Sequence, residues 1–194
     1  MPKNAPDRFG FRTVYTFAML RMAADNAARA AEATESGSMY TSMLSRLATA
    51  FMLEAYLNHL GEERIPDWLA AEKDWLDPKS KLKLIIDELH IPFERGNKHQ
   101  SDYLGYLETF EFRRKLVHAR TERLTGAWSE ADEGPAGSNA LEADWEKLCT
   151  PERAREALAQ AERIVRLFHS ATGHLGDPLS TISEGGSSGH GGLA

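Results

Sequence analysis

Residues 101–120 read SDYLGYLETFEFRRKLVHAR, and the reading of this stretch decides the fold. Tyr103, Leu107, Phe110, Arg114 and Val117 recur in alternating steps of four and three, the period of one face of an α-helix. The same period returns on both sides. Upstream, Met43, Leu47, Ala50, Glu54 and Leu57 form a stripe on a helix expected over 39–60, with Gly61 as its stop. Leu82, Ile85, Ile86 and Leu89 form another, opened by Asp77-Pro78 as N-cap and first helical proline and ended by Ile91-Pro92. Downstream, Thr150-Pro151 opens a helix carrying Ala154, Leu158, Ala161, Val165 and Phe168. Near the start, Phe11, Val14, Tyr15, Ala18 and Met22 lead into an Ala-rich run of high helix propensity that ESGS, 35–38, breaks. IPDWLAAEKDWLD predicts a short helix in which Trp68 and Trp75 serve as core or staple residues.

Strand alternation and internal repeats are both missing from the pattern. The chain therefore predicts an all-α bundle of four to five helices. A flexible N-terminus is expected over 1–10, the helical domain over 11–175, and a disordered Gly/Ser-rich tail over 176–194. FERGNKHQ and GAWSEADEGPAGSNA are expected connections. At 194 residues, 42% hydrophobic and 27% charged, the chain has the composition of one ordinary globular domain. Its net charge of −6 argues against nucleic-acid binding by the whole surface. A single cysteine, Cys149, excludes an internal disulfide and suits a reducing compartment. No run approaches the ~18 apolar residues of a membrane helix, and no signal-peptide core opens the chain. A cytoplasmic protein without membrane attachment is the expectation.

The informative residues interrupt the stripes. Glu54 stands in mid-stripe on the second helix and Arg114 in mid-stripe on the fourth. Lone buried charges are costly and are normally paired. The spacing predicts that Glu54 meets the arginines of the fourth helix across the bundle, with Glu54 and Arg114 as a supporting ion pair. On ideal geometry Arg114 and His118 share a face, whereas Arg113 lies about 140° from His118, so Arg113 and His118 flank the stripe. Around them Arg113, Arg114, Lys115, Arg120 and Arg123 stand against Glu122 alone. Such a basic spot on an acidic body suits a phosphodiester, with Lys115, Arg120 and Arg123 as further candidate contacts.

Other chemistries are weakly encoded. The histidines show no HExxH pattern, and His169 and His174 are poorly spaced as a metal pair, so no metal or other cofactor is expected. Cys149 adjoins a helix N-terminus, which lowers a thiol's pKa, but an inert structural thiol is the simpler reading. Lys79, Lys81 and Lys83 read as a solvated face that can extend the basic footprint.

Arg113, four intervening residues and His118, in the wording RRKLVHA, resemble the R-x4–6-H signature of the HEPN superfamily (higher eukaryotes and prokaryotes nucleotide-binding). LEAYLNHLG at 53–61 resembles that family's early helix with its acidic supporting residue. KLKLIIDEL, Pro92, YLETFEFRRKLVH and a closing amphipathic helix follow in the family's order, so the resemblance covers about 11–172. It implies a helical bundle that dimerises through the motif-bearing region. Many members are metal-independent endoribonucleases of toxin–antitoxin, antiphage or RNA-processing systems. Others are non-catalytic binding or assembly modules. The implied partners are RNA, a second copy and a cognate antitoxin or other protein. The implied roles are proton transfer by His118 and phosphate binding by the Arg113 fork, giving 2′,3′-cyclic phosphate and 5′-hydroxyl ends. Active members commonly carry a small polar residue after the arginine. Here Arg114 stands there, either as a second phosphate ligand or as a partner for Glu54.

Overall fold

The computed structural model describes residues 8–73, 77–92, 97–125 and 142–189. The expected loop 126–140 and Trp75 lie outside the described residues. The elements in chain order are β1 (Arg8–Val14), α1 (Thr16–Ala33), α2 (Ser38–Arg64), α3 (Trp68–Lys73), α4 (Pro78–Leu89), α5 (Gln100–Val117), α6 (Pro151–Ala171) and β2 (Ser183–Gly189). The protein is an all-α bundle with one small antiparallel β-ribbon.

Local chemistry sets the helix starts. The Asp77 carboxylate accepts hydrogen bonds from the backbone N–H groups of Lys79 and Ser80, and Thr150 accepts one from Arg153. Pro78 and Pro151 occupy first-turn positions where no N–H is needed. The α6 stripe of Ala154, Leu158, Ala161, Val165 and Phe168 is buried in full. It packs with Phe17, Leu53, Tyr56, Leu57, Tyr106 and Phe110 in one continuous core.

α2 is the central element and touches α1, α4, α5 and α6. It runs past the expected stop at Gly61 because that glycine is a contact point: a Cβ there would collide with the Trp68 indole. α4 and α5 each pack on α2 but touch one another only sparsely. Tyr106 bridges them, donating its hydroxyl hydrogen to the Pro78 carbonyl at 2.7 Å.

The first and last described segments meet. Phe11 and Val14 belong to β1, not to the first helix, and both are exposed. β1 pairs with β2 from Arg8 opposite Gly189 to Val14 opposite Ser183, and Tyr15 N–H donates to Ile182 O at 3.0 Å. The segment expected as a disordered tail thus begins with an anchored turn. Leu179 is buried and Asp177 pairs with Arg166.

Candidate functional site

The inward face of α5 comprises Asp102, Gly105, Tyr106, Thr109, Phe110 and Phe112. Half of these are polar or small. Asp102 is paired with Arg163 of α6, and Gly105 makes room for Gln160. The helix is consequently rotated from the orientation its most apolar stripe suggests. Arg113, not Arg114, turns toward the bundle.

Glu54 accordingly pairs with Arg113, whose Nη2 lies 3.2 Å from Glu54 Oε2. The expected Glu54–Arg114 pair is absent. Arg114 points outward and makes two hydrogen bonds to Glu111 on its own helix, at 2.9 and 2.6 Å. The other Glu54 oxygen faces Lys81 Nζ at 3.6 Å. Lys81 is buried, with only 2% exposure, and its ammonium also reaches Glu72 Oε1 and Asn58 Oδ1, both at 2.7 Å. The solvated face expected for three lysines therefore holds for Lys79 and Lys83 alone. Lys81 belongs to the ion cluster that fixes α4 and α5 on α2.

Arg113 is held on a second side by an aromatic face. Its guanidinium carbon lies 5.3 Å from the Phe51 ring centroid. Its Nε–H is buried and has no hydrogen-bond partner among the described residues, so Glu54 leaves donor capacity unused.

The first turn of α4 and the last turns of α5 enclose an open cleft of about 360 Å³. Arg113 and His118 line it together with Lys79 and Arg114, over an apolar floor from Pro78, Phe110 and Val117. His118 is the C-cap of α5, and its N–H donates to Arg114 O at 3.1 Å. Its imidazole is exposed. A permanently charged fork and a titratable ring thus share a wet cleft with apolar walls.

On the other side of His118 lies a shallower depression of about 330 Å³, lined by Arg114, Lys115, Arg120, Glu122, Asp144 and Trp145. Lys115 and Arg120 flank His118 there, whereas Arg123 is exposed and lines neither hollow. The turn carrying Trp145 is tied down by Arg46, a buried cation that sequence reasoning missed. Arg46 donates to the Leu148 carbonyl at 3.4 Å and to Glu108 at 2.9 Å, and lies 4.6 Å over the Phe112 ring. The only hint of its burial is its company, the small polar residues Ser42, Ser45 and Thr49, all buried on α2.

Cys149 is buried beside this turn, and burial pushes its thiol up to about 11, the opposite of the lowering that an exposed helix N-terminus gives. Three other histidines, His59, His169 and His174, line a separate hollow. His174 lies 3.2 Å from Glu63, and the His169 and His174 rings meet edge to face. Among the described residues, no group of three His, Cys, Asp or Glu side chains is placed to hold a metal ion. No helix among the described residues is long and apolar enough to cross a membrane.

Comparison of the chain with protein-family models, curated proteins and solved structures found no match.

Proposed function

We propose that the chain is a HEPN-type endoribonuclease that cleaves RNA without a metal ion, Arg113 and His118 being its catalytic residues. The observation that carries this reading is their placement in one open cleft, with the guanidinium held by Glu54 and the imidazole free in solvent. In the reaction the 2′-hydroxyl attacks the adjacent phosphorus, a base takes its proton, and an acid returns a proton to the departing 5′-oxygen. The charge that builds on the non-bridging oxygens is met by Arg113. His118 serves as one of the two proton carriers. The His118 of a second copy supplies the other.

Pairing of two copies is supported by the apolar face beside the cleft. Tyr40, Leu44 and Phe51 recur at helical spacing along α2 and are all exposed, leading toward Arg113. The resemblance to that family extends the proposal to a cytoplasmic toxin or antiphage effector that a cognate protein restrains.

The test is cleavage of a mixed RNA pool in EDTA. Wild-type protein is expected to leave 2′,3′-cyclic phosphate and 5′-hydroxyl ends, with His118→Ala and Arg113→Ala each reduced about 100-fold or more. Arg114→Asn breaks only a pair within α5 and is expected to keep the fold and the activity. Equal cutting by wild type and His118→Ala would sink the assignment.

A second reading, a non-catalytic dimeric binding module, is favoured by the Glu54–Arg113 pair, which already engages one edge of the fork. RNA binding without cleavage by the wild-type dimer would support it.

A further inference from the structure

The ammonium of Lys81 is buried, where a lone charge is very costly. Two neighbouring helices meet it there. Glu72 of α3 and Asn58 of α2 each accept a hydrogen bond from it at 2.7 Å. Glu54, one turn before Asn58 on α2, stands off at 3.6 Å. Through its other oxygen the same Glu54 holds Arg113 at 3.2 Å. The groups form a chain, Glu72 to Lys81 to Glu54 to Arg113, that runs from α3 to the cleft. Among the described residues, these two cations and two carboxylates make ion pairs only with one another.

The distances decide how the charges are shared. Lys81 is within hydrogen-bonding range of Glu72 but not of Glu54. Glu72 thus answers Lys81, and Glu54 stays with Arg113. Without the Glu72 charge, Lys81 has Glu54 as its one carboxylate, a small side-chain movement from a direct bond. Without the Lys81 charge, Glu54 has only Arg113 to serve. The two losses therefore act on Arg113 in opposite directions. The Arg113 Nε–H is buried and has no partner among the described residues, so no other bond masks that pull.

We propose that Lys81 and Glu72 are positioning residues for Arg113: through Glu54 they set how much of the guanidinium's charge the cleft offers to an anion. Neither lines the cleft. The cluster as it stands is neutral, its two positive charges matched by two negative ones. Loss of Glu72 leaves it one charge positive, and loss of Lys81 leaves it one charge negative. A purely structural role gives no such opposition, because either loss loosens α4 on its neighbours in the same sense. Only the identity of the anion, an RNA phosphate, rests on the ribonuclease reading.

The probe is inorganic sulfate, whose charge is constant near neutral pH. It is titrated at fixed ionic strength and followed by the Arg113 Nε–H resonance in proton–nitrogen spectra. Glu72→Gln is expected to tighten sulfate binding about two- to fivefold, and Lys81→Met to weaken it by a similar factor, the scale of one unit charge in a partly wet site. The double variant Lys81→Met with Glu72→Gln restores neutrality and is expected to return close to the wild-type affinity. Glu88→Gln removes the same charge from the exposed far end of α4 and is the control. Weaker binding in both single variants, or no change in either, overturns the relay. So does a control that tightens binding as much as Glu72→Gln. If Lys81→Met does not fold, Glu72→Gln decides alone, and unchanged or weaker binding overturns the proposal.

Cleavage of RNA by the same proteins separates the two readings. Where wild type cleaves, Glu72→Gln is expected to lower KM and kcat together, because a fork released by Glu54 attracts phosphate but is held less firmly. Opposed sulfate shifts without cleavage uphold the relay and remove the ribonuclease reading. Cleavage without opposed shifts overturns the relay and leaves the ribonuclease reading standing. A wild-type Arg113 that ignores sulfate, in a protein that does not cleave, overturns both.

Discussion

At Glu54 the two carboxylate oxygens serve different cations, Arg113 on α5 and Lys81 on α4. The carboxylate therefore ties both walls of the cleft to α2, the helix that carries it. Its side chain is about one-fifth exposed, so the pairing is screened less than a surface ion pair. Glu54→Gln keeps the shape but leaves Arg113 without a carboxylate and Lys81 with Glu72 as its one charged partner beside Asn58. We expect a loss of about 1–3 kcal/mol of stability in urea titrations, the scale for an unmet charged hydrogen-bonding group. A double-mutant cycle identifies the partner. Glu54→Gln with Arg113→Met is expected to show a coupling of about 0.5–3 kcal/mol, whereas Glu54→Gln with Arg114→Met is additive. Coupling to Arg114 in place of Arg113 would mean that α5 is rotated from the position described.

Between elements, Gly61 of α2 and Trp68 of α3 make a close approach. The indole of α3 lies against the α2 backbone where any side chain would stand, and Trp68 is 2% exposed. Gly61→Ala raises helix propensity, which alone stabilises by about 1 kcal/mol. The clash with a buried ring outweighs this, because the ring is rigid and enclosed; a net destabilisation of about 1–3 kcal/mol is expected in thermal or urea unfolding. A stabilised variant would show that α3 is free to shift. Gly61 also marks the limit of what was legible in the sequence. Its residue type reads as a helix stop, and only the tertiary contact explains why the helix continues. α4 and α6 were legible because their caps and apolar stripes agree. The orientation of α5 was not, because Asp102, Gly105 and Thr109 face inward, each satisfied or accommodated by the bundle. The motif spacing singled out Arg113 and His118, but the cleft they line is made by the start of α4. The burial of Lys81 depends on Glu72 and Asn58, which lie on other elements. The β-ribbon escaped because its Gly/Ser strand has no side-chain alternation and its pairing joins the first and last described segments.

The whole molecule is closed by ion pairs running from α6 to the helices around it. Arg21 meets Glu162, Arg163 meets Asp102, and Arg155 spans Asp25 and Glu32. Asp25 is the most enclosed of these carboxylates among the α1 partners, at 8% exposure, within the alanine-rich seam of Ala24, Ala28 and Ala31. Burial pushes its carboxyl up, but hydrogen bonds from Arg155 and Arg29 outweigh that, so it titrates below the usual carboxylate range. A carboxyl lowered on folding stabilises the native state above its unfolded pKa, about 3.9, and that contribution is lost as pH falls through the folded value. The bundle is therefore expected to lose stability from about pH 4 downward. Asp25→Asn leaves Arg155 with Glu32 alone and an amide in the seam, so it is expected to cost about 1.5–3 kcal/mol at neutral pH. The variant lacks this titration, and the gap between the two proteins should narrow as wild type protonates Asp25. Urea midpoints measured from pH 7 to pH 2.5 decide the matter. A gap that stays constant across that range would show that Asp25 stabilises the seam by packing rather than by its charge.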